Sequence, residues 1–85
     1  QTINIPKLPV LTTEEAINQI KRNYTLIKDW KNIEELIPKN FNVNKRLKKS
    51  GLAGIFAASL ELTKQGTINI LQKDIFEKIL IKKIN

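Results

Sequence analysis

The residues with the clearest chemical potential form one short cationic run, Lys45, Arg46, Lys48 and Lys49. Such a run could neutralise several phosphates of a nucleic acid without reading the order of its bases. The alternative interpretation is a solvated loop and first helical turn, where these cations would meet the unfavourable positive end of the helix dipole. The run therefore indicates at most weak, non-specific DNA contact, and both interpretations stay open.

The chain offers little for catalysis or metal binding. It contains no His and no Cys, the side chains that general acid–base catalysis and metal sites use most often. The two aspartates, Asp29 and Asp74, lie far apart in sequence. There is no nucleophile–base pair and no Gly-rich phosphate loop, so the sequence predicts a protein that is not an enzyme and that holds no cofactor or metal.

Length and charge set the broad class of the protein. The 85 residues suit one small domain with a thin core. A net charge of +7 fits a polyanionic or acidic partner, but the abundant Lys, Asn and Ile share AT-rich codons, so genome composition explains the charge equally well.

No apolar run approaches the roughly 20 residues that span a bilayer, so no membrane partner is expected. Because the chain starts at Gln1 rather than Met, we expect a fragment of a longer protein.

The chain divides into an extended end of a linker, residues 1–11, and one domain, residues 12–85. Pro6 and Pro9 favour extended backbone in the first segment. Thr12 and Glu15 have the spacing of a capping box. The apolar spacing that follows predicts a first helix over about 13–28.

A second helix is predicted over about 30–37, because Trp30, Ile33, Leu36 and Ile37 share one helical face before Pro38 stops the helix. Trp30 is expected in the core, as a single Trp at helical spacing usually is. The polar loop that follows is expected to be held down by two further apolar anchors, Phe41 and Val43.

A third helix is predicted over about 46–65, with Gly66 as its terminator. At 100° per residue its broad apolar face comprises Leu52, Ile55, Phe56, Ser59, Leu60, Leu62 and Thr63, with Gly54, Ala57, Glu61 and Lys64 opposite. Over residues 51–62 that opposite side is Gly, Ala and one Glu, and so lacks the donors that read base edges in a DNA groove. A winged-helix nucleic-acid-binding domain of a small regulator is therefore the second hypothesis, not the first.

Two alternating segments, about 67–72 and 78–84, predict a C-terminal β-hairpin. The fold class is α+β, mainly α: a winged helix with three helices followed by the hairpin. Leu71 and Leu80 are apolar residues on the outer face of the hairpin, the side that does not cover the helices. Either they form a docking patch on an edge of the sheet, or the linker or the first helix covers them.

The third helix and the hairpin also carry a more specific pattern. It consists of Phe56, the triplet Leu60-Glu61-Leu62, Gly66, Gln72, and Phe76 with Ile79. This pattern resembles the C-terminal domain of segregation and condensation protein A, the bacterial kleisin family. The resemblance covers about residues 29–81 and is strongest from 50 to 79. The sequence departs from the family pattern at Glu77-Lys78, where Gly-Asp is common in the wing.

The resemblance implies a scaffold domain that binds the ATPase head of an SMC chromosome-organising protein. The rest of a longer chain would recruit the ScpB subunit, and any ATP would belong to the SMC partner. The implied location is the cytoplasm, in association with the nucleoid. The candidate contact residues are Phe56, Leu60, Leu71, Phe76, Leu80 and Ile81. Phe56 and Leu60 also fit positions in the core.

Overall fold

The computed structural model describes residues 9–75 and 77–84. Its elements in chain order are helix α1 (Thr13–Arg22), strand β1 (Lys31–Asn32), two 3₁₀ turns (Ile33–Leu36 and Lys39–Phe41), helix α2 (Lys45–Lys64) and strands β2 (Ile68–Leu71) and β3 (Leu80–Lys83). The strands form one antiparallel sheet in the order β1-β3-β2. The predicted α+β class is confirmed, whereas the prediction of three helices is wrong.

Helix α1 begins as predicted and ends earlier than predicted. The Thr12 hydroxyl accepts a hydrogen bond from the Glu15 amide at 3.1 Å, and the Glu15 carboxylate accepts one from the Thr12 amide at 3.1 Å. The helix ends at Arg22 rather than near residue 28, and the chain turns so that Ile27 is fully buried. The Ile27 carbonyl then accepts a hydrogen bond from the Lys83 amide at 2.7 Å. A longer helix would lose this link to the sheet.

The predicted second helix is replaced by a strand and a 3₁₀ turn. Lys31 and Asn32 pair with Ile81 and Leu80 of β3, and the Asn32 side chain then caps the turn by accepting from the Glu34 amide at 2.9 Å. The predicted apolar residues Ile33, Leu36 and Ile37 are buried all the same. The three-residue spacing of Ile33 and Leu36 suits a 3₁₀ turn as well as an α-helix, so the local pattern could not separate the two.

Trp30 lies outside the core, contrary to the sequence-based prediction. It directly precedes β1, and 38 % of its surface is exposed. Of the two predicted loop anchors, Phe41 is buried, whereas Val43 is 67 % exposed.

Helix α2 is confirmed. The Asn44 side chain caps its first turn by accepting from the Leu47 amide at 2.9 Å. Gly66 follows its last turn with φ at 79°, a left-handed conformation that glycine adopts without strain.

The inward side of α2 combines small and large residues. Gly51, Gly54, Ile55, Ala58, Ser59 and Leu62 are buried. A Cβ on Gly54 would lie 2.7 Å from the carbonyl oxygen of Leu11, so the backbone before α1 approaches the helix directly. Leu11 itself is a core residue, and the Ser50 hydroxyl donates to the Pro9 carbonyl at 3.2 Å. The packed domain therefore includes residues that were predicted to be linker, and Gly54 is not on the solvent side.

The sheet closes the other side of the core. Ile68 of β2 and Ile81 of β3 are fully buried, and the pairs Ile70–Ile81 and Leu71–Leu80 fix the register. Within the described residues, no helix combines the length and apolar character that crossing a membrane requires.

Candidate functional site

The outward side of α2 carries apolar residues that the sequence pattern had assigned to the broad apolar face. Phe56 is 37 % exposed and Leu60 is 49 % exposed, one helical turn apart. Ala53 and Ala57 are exposed beside them. We call these four residues the outer face of α2. They lie opposite the buried side of the helix, where Leu11 approaches so closely that a Cβ on Gly54 would clash with it.

A second apolar surface covers the side of the sheet that faces away from the core. Leu71 and Leu80 are cross-strand neighbours; Leu71 is 36 % exposed and Leu80 is half-buried. Lys82 lies on the same side as Leu80 because alternate residues of a strand share a face. The Lys82 ammonium is 5.9 Å from the centre of the Trp30 ring. We call Trp30, Leu71, Leu80 and Lys82 the outer sheet face.

Two of the predicted contact residues do not join either surface. Ile81 is fully buried among core residues, so its side chain is unavailable to a partner in this fold. The prediction failed because β3 is apolar on both sides, and only the register shows which side faces inward. Phe76 lies outside the described residues.

The predicted cationic run occupies the first turns of α2. Lys45, Arg46 and Lys49 are exposed, and the Lys48 ammonium lies 3.3 Å from a Glu34 carboxylate oxygen. This ion pair leads Lys48 away from the apolar side of the helix. Lys45 and Lys49 precede Ala53 and Ala57 at four-residue intervals, so the cations continue the outer face of α2 towards its N-terminus.

Both surfaces consist of apolar and cationic side chains. Among residues 9–75 and 77–84, no group of three or more acidic, His or Cys side chains is placed to hold a metal ion. Two shifted pKa values belong to structural groups. Hydrogen bonds from Thr12 lower the pKa of the Glu15 carboxyl, and burial raises the pKa of the Tyr24 hydroxyl.

Comparison with known proteins gives the fold. No protein-family model matches the chain, and no curated protein matches it. A solved structure does: the chain is similar to the C-winged helix domain of ScpA in its crystal structure with the SMC head. The sequences are 24 % identical, the TM-score is 0.57, and the similarity covers 85 % of this chain and 93 % of that chain. This chain has a winged-helix fold. The predicted winged helix is thereby confirmed, with β1 and a 3₁₀ turn in place of the second α-helix.

Sequence reasoning missed Trp30 as a surface residue, although a signal was present. Asn32 followed by Glu35 has the spacing of a helix start. A helical turn that begins after Asn32 leaves Trp30 ahead of the cap, outside the turn. The apolar spacing of Trp30 with Ile33 concealed this alternative.

Proposed function

We propose that this domain binds the ATPase head of an SMC protein, as the C-terminal domain of a bacterial kleisin. One observation carries the proposal: the chain shares its fold with a ScpA domain whose crystal structure contains the SMC head. The residue pattern of Phe56, the Leu60-Glu61-Leu62 triplet and Gly66 supports it independently of the fold.

The wider biology follows from the same proposal. The domain would work in the SMC–ScpA–ScpB complex that condenses and segregates chromosomes, with ScpB bound by another part of a longer chain. Its place would be the cytoplasm, on the nucleoid. The role is that of a non-enzymatic scaffold whose partner supplies the ATPase.

The exposed apolar side chains supply the physical basis for binding. Burial of apolar surface is the main favourable term in protein association. The outer sheet face offers Leu71 and Leu80, and the outer face of α2 offers Phe56 and Leu60. We assign the principal contact to the outer sheet face, because Leu71 and Leu80 lie side by side on neighbouring strands. The excess of lysine suits an acidic rim on the partner.

The test is a binding series with a purified SMC ATPase head. Leu71→Asp and Leu80→Asp place a charge on the outer sheet face, Leu60→Asp places one on the outer face of α2, and Val43→Asp is the matched control on an exposed apolar residue of neither surface. We expect the two sheet variants to lose binding and the control to retain it. Loss in Leu60→Asp alone would move the contact to α2, and no binding by the unmodified chain would refute the proposed function.

A further inference from the structure

We infer that Trp30 and Lys82 form one recognition element on the outer sheet face. The Trp30 indole would insert into a recess of the partner that is lined by apolar groups, and Lys82 would pair with a partner carboxylate beside that recess. The inference rests on the proposed function, since it specifies how the outer sheet face would recognise its partner. It adds Trp30 and Lys82 to the contact residues expected from the sequence.

The register of the sheet places this pair beside the leucines. Lys31 of β1 pairs with Ile81 of β3, so antiparallel pairing brings the preceding residue, Trp30, opposite Lys82. The distance of 5.9 Å from the Lys82 ammonium to the Trp30 ring centre agrees with this placement. Lys82 in turn pairs with Asn69 of β2. The Trp30–Lys82–Asn69 row thus runs alongside the Leu80–Leu71 pair.

Trp30 has the properties of an interface anchor rather than a core residue. Its ring is large and apolar, and 38 % of its surface remains open to water. Tryptophan is enriched among the few residues that carry most of the binding energy of an interface. Leu80 lies diagonally across from Trp30 on the neighbouring strand, with Leu71 beyond it, and these leucines would exclude water from that side of the contact.

Lys82 gives the element its charge preference. Within the described residues, the one carboxylate–cation contact shorter than 4.0 Å joins Lys48 and Glu34, on a different part of the molecule. Lys82 instead contacts the face of an aromatic ring, and its ammonium has no carboxylate partner among residues 9–75 and 77–84. A partner carboxylate next to the indole recess would complete the site, because charge pairs across an interface set partner choice.

The decisive test measures the affinity of four variants for the SMC ATPase head: Trp30→Ala, Trp30→Phe, Lys82→Gln and Lys82→Glu. Val43→Ala is the control, and thermal unfolding of each variant verifies that it folds. We expect Trp30→Ala to raise Kd by about tenfold or more, as for an anchor residue, and Trp30→Phe to raise it less. Lys82→Glu should weaken binding more than Lys82→Gln, because it places a like charge opposite the partner carboxylate.

A second readout does not depend on the folding of any variant. Trp30 is the single Trp of the chain, so labelling with 5-fluorotryptophan gives one ¹⁹F resonance that reports on this site. The resonance should shift or broaden on addition of the head and stay unchanged with an unrelated acidic protein.

The failures of the two proposals are distinguishable. An unchanged resonance at saturating head, or a Trp30→Ala affinity within about twofold of the unmodified chain, would overturn the role of Trp30–Lys82 and leave the proposed function intact. Absence of head binding by the unmodified chain would overturn both.

Discussion

Gly54 is the residue on which the packing of the N-terminal segment depends. In an open helix, replacing Gly by Ala stabilises a protein by about 1 kcal/mol. At this position the added Cβ would lie 2.7 Å from the Leu11 carbonyl oxygen and 2.9 Å from the Leu11 Cβ. Because backbone cannot move aside as a flexible side chain can, we expect Gly54→Ala to lower the free energy of unfolding by about 1–3 kcal/mol. Chemical denaturation measures this change.

Whether Gly54→Ala raises or lowers the free energy of unfolding tests the close approach of Leu11 to α2. A double variant shows which atoms of Leu11 are responsible. Leu11→Ala removes the contact with the Leu11 Cδ2, 3.1 Å from the added Cβ, and leaves both the backbone oxygen and the Leu11 Cβ in place. We therefore expect Gly54→Ala to remain destabilising in the Leu11→Ala background. A stabilising Gly54→Ala would contradict the close approach of residues 9–11 to α2.

Tyr24 gives a second prediction at the scale of the residue. Its hydroxyl is enclosed and has no hydrogen-bond partner among the described residues. An unsatisfied buried hydroxyl costs about 1–3 kcal/mol. Tyr24→Phe should therefore leave the free energy of unfolding unchanged or raise it by up to about 1 kcal/mol. The Lys83 ammonium, 5.3 Å from the centre of the ring, keeps an aromatic partner in this variant.

The same residue predicts a dependence on pH. Burial raises the pKa of Tyr24 above its ordinary value of 10.0 in the folded state, so folding favours the neutral hydroxyl. The contribution of Tyr24 to stability is complete below that ordinary pKa and is lost as the pH rises above it. Denaturation of the unmodified chain and Tyr24→Phe at increasing alkaline pH should show a smaller decline in the variant. Equal declines would contradict the enclosed hydroxyl.

At the scale of the element, the rotation of α2 about its axis decides which apolar residues are free to bind. Two leucines of this helix make a matched pair: Leu62 is fully buried, and Leu60 is 49 % exposed. Leu62→Ala should lower the free energy of unfolding by about 2–5 kcal/mol, because it leaves a cavity. Leu60→Ala should lower it by less than about 1 kcal/mol, as is usual for surface changes. Equal losses in thermal or chemical denaturation would place Leu60 in the core.

The existence of α2 could be predicted from the sequence, but its rotation could not. A long helical pattern and Gly66 marked the element, and both are local signals. The projection at 100° per residue treated every large apolar side chain as a core residue, so it placed Phe56 and Leu60 on the same face as Ile55. In the structure Gly51, Gly54 and Ala58 also lie on the buried side. Small residues are favoured there because other parts of the chain, such as the backbone of Leu11 at Gly54, come close to the helix.

Strand β1 could not be predicted from the local sequence either, for a different reason. Lys31 and Asn32 become a strand only by pairing with β3, which is distant in sequence. The hairpin of β2 and β3 follows from local alternation and was predicted. Part of the candidate site was therefore predictable: Leu71 and Leu80 were identified as an outer pair, whereas Trp30 joined them only through the non-local pairing.

At the scale of the whole molecule, the domain presents two separate apolar surfaces on a chain of net charge +7. The outer sheet face and the outer face of α2 lie on different elements, and the cations at the start of α2 extend the second surface. A simple nucleic-acid binder would need no exposed leucine pair.

Calorimetric titration of the chain into a purified SMC ATPase head tests this account most directly. We predict saturable one-to-one binding with a negative heat-capacity change, the mark of apolar burial, and with only modest weakening at higher salt. The opposite result would be no saturable heat with the head, together with binding to duplex DNA that falls steeply as salt rises. That outcome would contradict the kleisin proposal and assign the working surface to the cations at the start of α2.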